Sequence, residues 1–179
     1  MHAVREYVHA TATETGFRAA MSAFATGVTV VTTRGTGGEV YGMTVNAFSS
    51  VSLAPPLVLI CLGRTGRGHD LITSAGVFTV NVLAADQEHV SHRFADRRRP
   101  TGSMFDGIDV SVGATGCPRI DGAAASLDCR VRQIVPAGDH AIVLGGVVAL
   151  TCAPEREPLV FHAGGYRFMA EAVPQLRAV

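Results

Sequence analysis

The 179-residue chain contains no lysine and no tryptophan, and all 15 of its cations are arginine. A Walker-type phosphate loop needs a lysine on the β/γ phosphates, so that chemistry is excluded. Lysine nucleophiles and pyridoxal Schiff bases are excluded for the same reason. Charge of either sign is scarce: 17% of residues are charged, against roughly 25% in ordinary globular proteins. The balance is zero, which argues against a nucleic-acid partner held by a broad basic field. No apolar run reaches the ~20 residues of a spanning helix. The opening stretch MHAVREYVHATATETG has no long apolar core of the kind a secretory signal carries. The expectation is a cytoplasmic protein with no membrane partner. Cys61, Cys117, Cys129 and Cys152 form no CxxC pair, so neither a zinc site nor thioredoxin chemistry is supported. They read as buried free thiols in a reducing compartment. There is no GxSxG elbow and no GxGxxG between a strand and a helix.

What the chain does have is apolar material. Hydrophobic residues make up 47%, and mean hydropathy is +0.28. Either the core is large or part of the surface is buried against a second copy, and a homodimer is expected. The length suits one domain. Residues 1–14 read as a polar arm, 15–170 as the domain and 171–179 as a tail.

Thr15 looks like a helix cap, with Phe17, Ala20, Met21 and Phe24 on one face and Gly27 as the stop. TGVTVVTT and VYGMTVNAF flank the turn RGTGGE as a hairpin. SSVSLAPP reads as a loop, and LVLICL as a strand buried on both faces. HDLITSA is a short helix, VFTVNVL a strand and AADQEHVSHRFAD a helix. In SLDCRVRQIV, Leu127, Cys129 and Val131 alternate with Asp128, Arg130 and Arg132, as in a half-buried strand with the charged set in solvent. AIVLGGVVAL and PLVFHAGGYRF supply the last strands. Roughly seven strands with short helices and no regular βα alternation predict a mainly β protein, a closed or partly closed barrel.

Three segments carry polar groups where chemistry could sit. MTVNAFSSVSLAPP places Thr44, Asn46, Ser49, Ser50 and Ser52 within nine positions. Hydroxyls, amides and backbone N–H can hold a phosphate or a heterocycle edge without lysine, although the same residues also build ordinary turns. GDH sets Asp139 and His140 at the mouth of a long strand, as a proton donor or as a plain turn. HAGGYR offers close backbone approach, the Tyr166 face and the Arg167 fork, or simply a glycine turn. His89 and His92 lie on a solvated helix and support no metal. Arg97, Arg98 and Arg99 form a weak basic run, read as a solvated loop or a phosphate contact.

Taken together and in order, FRAAMSAFATGVTVVTT, YGMTVNAFSSVSLAPPLVLICL, FTVNVLAADQEHVSHRFA, GCPRIDGAAASLDCRV, GDHAIVLGGVV and PLVFHAGGYR resemble the short-chain flavin reductases of two-component monooxygenases. The matching stretches span residues 17 to 167. The resemblance implies an FMN-binding split β-barrel, Greek-key-like, with short peripheral helices, usually a homodimer. It implies an enzyme that uses NADH or NADPH to reduce FAD or FMN and passes free reduced flavin to a separate monooxygenase or halogenase. It further implies that Met43, Thr44, Val45 and Asn46 lie along the isoalloxazine, and that Ser49, Ser50 and Val51 reach the ribityl chain and phosphate. Cys61, Leu62, Thr65 and Gly68 continue the pocket, Thr26, Val28 and Thr29 contribute from the first strand, and Phe94 covers the flavin. His140 is the catalytic candidate, with Asp139, Tyr166 and Arg167 beside the nicotinamide. Two departures bear on this. Met104 stands where members often carry a charged residue, so the resemblance supplies no ionic phosphate contact there. GRTGRG is glycine-rich where a serine is common, and Thr65 is taken as its replacement. A split-barrel protein with tightly bound flavin acting on its own substrate, or a flavin- or haem-binding module without activity, stays open.

Overall fold

The computed structural model describes residues 12–96, 98 and 101–169. Most of the expected arm, the whole 171–179 tail, Arg97 and Arg99 lie outside the described residues. The chain runs α1 (Glu14–Ser22), β1 (Thr26–Gly27), β2 (Thr29–Arg34), β3 (Val40–Val45), β4 (Phe48–Leu53), β5 (Pro56–Gly63), α2 (Arg67–Ala75), β6 (Val77–Val82) and α3 (Glu88–Ala95). There follow a single 3-10 turn (Thr101–Ser103), β7 (Val110–Val112), β8 (Pro118–Ile120), β9 (Ala125–Ala137), β10 (His140–Cys152), β11 (Val160–His162) and β12 (Gly165–Arg167). The protein is mainly β, as the strand-rich sequence predicts. No helix among the described residues is long and apolar enough to cross a membrane.

Seven strands form one antiparallel sheet in the order β3-β2-β6-β9-β10-β5-β4. Its two edges, β3 and β4, are consecutive in the chain. Only Asn46 and Ala47 lie between them, so the chain steps directly from one edge of the sheet to the other. The Cys61 N–H donates to the Ala47 carbonyl at 3.0 Å and ties the step to β5. The sheet is therefore curled, and the step sits at its seam. A small sheet, β1-β11-β12, and a hairpin, β7-β8, cover two faces.

The curl encloses Val31, Val58, Ile60, Ile72, Phe78, Val80, Cys129 and Val143. A second cluster of Val28, Val30, Leu83, Val90, Phe94, Met104, Ile120 and Leu159 lies on the other side of β2. Burying a side chain of this size stabilises by roughly 1.5–3 kcal/mol, and β2 contributes to both clusters. Asn81, fully buried, is satisfied: its amide donates to Val30 O at 3.0 Å, while its Oδ1 accepts from the Ile120 N–H and the Ser126 hydroxyl.

Several sequence expectations are corrected. Thr13, not Thr15, caps α1, its hydroxyl oxygen accepting from the Gly16 N–H at 3.1 Å, and the helix stops at Ser22. SSVSLAPP is largely strand, since β4 pairs with β5 through a register shift between Ser50 and Ser52. β5 is buried on one face only. Val58, Ile60 and Leu62 point inward, while Leu57, Leu59 and Cys61 are half-exposed. Asp128 is not in solvent. It is fully buried, because the β7-β8 hairpin brings Arg119 over that face of β9.

Candidate functional site

The strand step at the seam separates two hollows. The larger, about 750 Å³, is a groove bounded by β3, the end of β5, the first turn of α2 and the end of α3. The smaller, about 430 Å³, lies against the end of α1, β4 and the β11-β12 turn. Asn46, Ala47 and Cys61 belong to both walls. That is a direct result of topology: the segment that crosses from edge to edge, tied to Cys61 of β5, has a hollow on each side.

The groove gathers Met43, Thr44, Val45, Asn46, Cys61, Leu62, Thr65, Gly68, Phe94 and His140. Val45, Leu62 and Phe94 give it apolar walls, and Thr44 and Asn46 give it polar ones. Thr44 donates its hydroxyl proton to the Ser91 carbonyl at 2.7 Å. Gly68 permits the close approach of α2 to β3: a Cβ there would sit on the Met43 methyl and sulfur and 3.1 Å from Tyr41 Cε1. Gly66 caps α2 without a side-chain hydrogen bond. The His69 and Asp70 N–H groups turn back to the Gly66 carbonyl at 2.9 and 3.3 Å, and the positive end of the helix is directed at the groove, a setting that favours anions. The Arg67 guanidinium lies 5.9 Å above the Tyr41 ring at the same point.

His140 stands at the mouth, half-exposed, at the start of β10. Its turn is held to the loop after β5 by Arg64, whose backbone N–H donates to Asp139 O at 3.0 Å and whose guanidinium donates to Gly138 O at 3.3 Å. The His140 Nδ1 lies 2.8 Å from an Asp139 carboxylate oxygen. That hydrogen bond and the imidazole charge hold the Asp139 carboxyl below its usual range.

Thr26 and Ser49 are brought to the smaller hollow instead, together with Phe24, Phe48, Leu59, Phe161 and His162. The Thr26 hydroxyl is buried there without a hydrogen-bond partner. Val28 and Thr29 are core residues, the latter donating to Val45 O. They line neither hollow, and neither do Ser50, Val51, Tyr166 or Arg167. The β4 pairing turns Ser50 and Val51 outward. Tyr166 lies behind α3, donating to Ser91 Oγ at 2.9 Å, and Arg167 is exposed and bonded to Tyr166 O. His92 is bonded to Glu88 at 3.3 Å and packs edge-on against Tyr166.

Sequence reasoning passed over Tyr41, Arg67, His69 and Asp96, all of which line the groove, as does Met104. The signal for Arg67 was present: a glycine-flanked arginine opening a helix, in a chain with no lysine. Met104 serves packing, its sulfur accepting from the Gly42 N–H at 3.0 Å.

Comparison with known proteins places the chain in a family. The family described as flavin reductase like domain matches residues 21–170. The NADH-dependent FAD reductase of Streptomyces globisporus is 45% identical over 157 residues, 87% of this chain and 85% of that one. The solved structure of a Streptomyces globisporus NADH:FAD oxidoreductase, in complex with NAD and FAD fragments, has a TM-score of 0.82 at 42% identity, covering 88% of this chain and 93% of that one. BorF, the flavin reductase component of a bacterial two-component tryptophan halogenase, has a TM-score of 0.81 at 41% identity over 87% of this chain and 97% of its own. A family match across most of the chain and relatives this similar make the chain a member of the flavin reductase family.

Proposed function

We propose that this protein is an NADH-dependent reductase of free FAD or FMN, and that the reduced flavin serves a separate flavin-dependent monooxygenase or halogenase. The observation that carries the reading is the groove itself. Apolar walls, a polar edge and the N-terminus of helix α2 meet in one cavity with His140 at its mouth. A flavin presents a flat apolar ring, a polar ring edge and an anionic tail, and the residues fit each part. Val45, Leu62 and Phe94 suit the ring faces. Thr44 and Asn46 suit the ring edge, and the unpartnered Thr26 hydroxyl offers a further polar contact across the seam. The start of α2 with Arg67 suits the phosphate better than Ser49 and Ser50, which are exposed on β4.

When bound, the flavin supplies the hydride acceptor, and the protein supplies orientation and electrostatics. Holding two reactants in register is the main contribution required. His140, oriented by Asp139, is assigned to hold the nicotinamide or pass a proton. His140→Ala is expected to lower kcat/KM for NADH by about tenfold or more. Full activity of that variant at every pH would remove the role.

The test of the reading is NADH consumption by the purified protein with and without added FAD or FMN, repeated with NADPH. Consumption that depends on added flavin supports it. Stoichiometric bound flavin with little turnover of free flavin would favour a flavoprotein acting on its own substrate.

A homodimer completes the reading. Helix α1 buries none of its residues, and it exposes Phe17, Met21 and, just beyond it, Phe24 at 61%, 52% and 71%. Leu53, Val148 and Leu150 add further exposed apolar surface. Sedimentation is expected to give twice the 18.7 kDa chain mass. The four cysteines are free, though of the four expected to be buried only Cys117 and Cys129 are, Cys61 being half-buried and Cys152 exposed at the end of β10. Free thiols suit a reducing compartment, and we place the protein in the cytoplasm.

A further inference from the structure

We infer that Tyr166 is a positioning residue of the groove, acting through Ser91 on helix α3 without touching a ligand. This rests on the flavin reading of the groove. Ser91 is 1% exposed and is held from two sides. From β3, the Thr44 hydroxyl donates to its carbonyl oxygen at 2.7 Å. From β12, the Tyr166 hydroxyl donates to its Oγ at 2.9 Å. One residue thus clamps α3 between an edge of the main sheet and the small sheet.

The phenol is itself fixed. Its ring packs edge-on against His92 at 5.1 Å and against Phe161 at 5.3 Å. Phe94 and Ala95, one turn beyond Ser91, form a wall of the groove. A helix is stiff over one turn, so a shift at Ser91 is delivered to that wall. Thr44, the other partner in the clamp, lines the groove directly. The small sheet also reaches the second hollow through Thr26, Phe161 and His162. Tyr166 therefore links the frame of both hollows while lining neither.

The family resemblance implied a place for Tyr166 beside the nicotinamide. The two roles predict different losses. Tyr166→Phe keeps the ring and both edge contacts and removes only the bond to Ser91. It is expected to raise the Kd for FAD, read by quenching of flavin fluorescence on the full chain, by about threefold to tenfold, the range of one neutral hydrogen bond. The KM for NADH is expected to stay within about twofold, on the same arithmetic. Ser91→Ala removes the same bond without altering a ring, and the double variant is expected to be no weaker than either single one. Effects that add, or a raised KM for NADH with unchanged FAD affinity, overturn the positioning role. So does unchanged FAD affinity in both variants. Wild-type protein that binds no flavin would instead remove the reading of the groove on which this one stands.

Discussion

Gly68→Val is expected to weaken flavin binding about tenfold to a hundredfold while leaving the melting temperature within a few degrees of wild type. Gly68 is the second residue of α2, and a Cβ there meets the tip of Met43. Methionine is unbranched and moves easily, so the fold absorbs the insertion. The backbone of β3 is paired to β2 behind it, which leaves the groove as the open side for the displaced methyl and sulfur. The extra volume is then paid for in ligand space. Valine is also a somewhat better helix residue than glycine, which offsets part of the strain. Adding Met43→Ala is expected to restore much of the affinity, since the two changes share one contact. Gly68→Val with undiminished FAD affinity would mean that the groove is not where the flavin sits.

Asp128→Ala is expected to cost about 3–5 kcal/mol of stability, the usual result of removing one partner from a buried ion pair. For a chain of this size that is a fall in Tm of about 6–20 °C. Asp128 is fully buried and accepts from the Arg119 guanidinium, the Thr79 hydroxyl at 2.7 Å and the Ala114 N–H. These bonds join three separate stretches: β6, β9 and the β7-β8 hairpin. Burial by itself pushes the carboxyl upward, but Arg119, Thr79 and Ala114 outweigh it and hold the pKa below the ordinary value of 3.8. The sign follows directly. A depressed folded pKa stabilises the fold above the unfolded pKa, and that contribution is lost as pH falls through the folded value. The gap in unfolding free energy between wild type and Asp128→Asn is therefore expected to be full at neutral pH and to shrink below about pH 4. A gap that does not change with pH would show that the charge of Asp128 contributes nothing. Since Asp128 is not part of either hollow, flavin affinity of the folded variant is expected to match wild type.

The same residue shows where sequence reading stops. Leu127, Cys129 and Val131 mark β9 as a strand by alternation alone, and that period put Asp128 outside with Arg130 and Arg132. Period cannot report a second layer. The hairpin that covers Asp128 is built from short strands, three residues each, in a glycine-rich stretch that gave no strand pattern. The serine run of β4 was hidden for a similar reason: its pairing comes from β5, which starts at the second of two prolines. Within the groove, residues on long strands and helices were legible, because Thr44, Leu62 and Phe94 belong to well-patterned segments. His69 and Asp96 were not, because their place depends on which elements meet.

The step from β3 to β4 leaves β4 as an outer strand with Val51 and Leu53 exposed at 48% and 97%. Such a row of unpaired backbone groups beside apolar side chains is a template on which other chains can grow. The chain limits this within the strand itself. β4 is six residues long, its ladder is broken by the shift between Ser50 and Ser52, and Pro55 and Pro56 follow at once. Short length, a bulge and proline each discourage edge-to-edge growth. The irregular pairing that hid this strand from the sequence pattern is thus also a guard against fibre formation by the lone protomer.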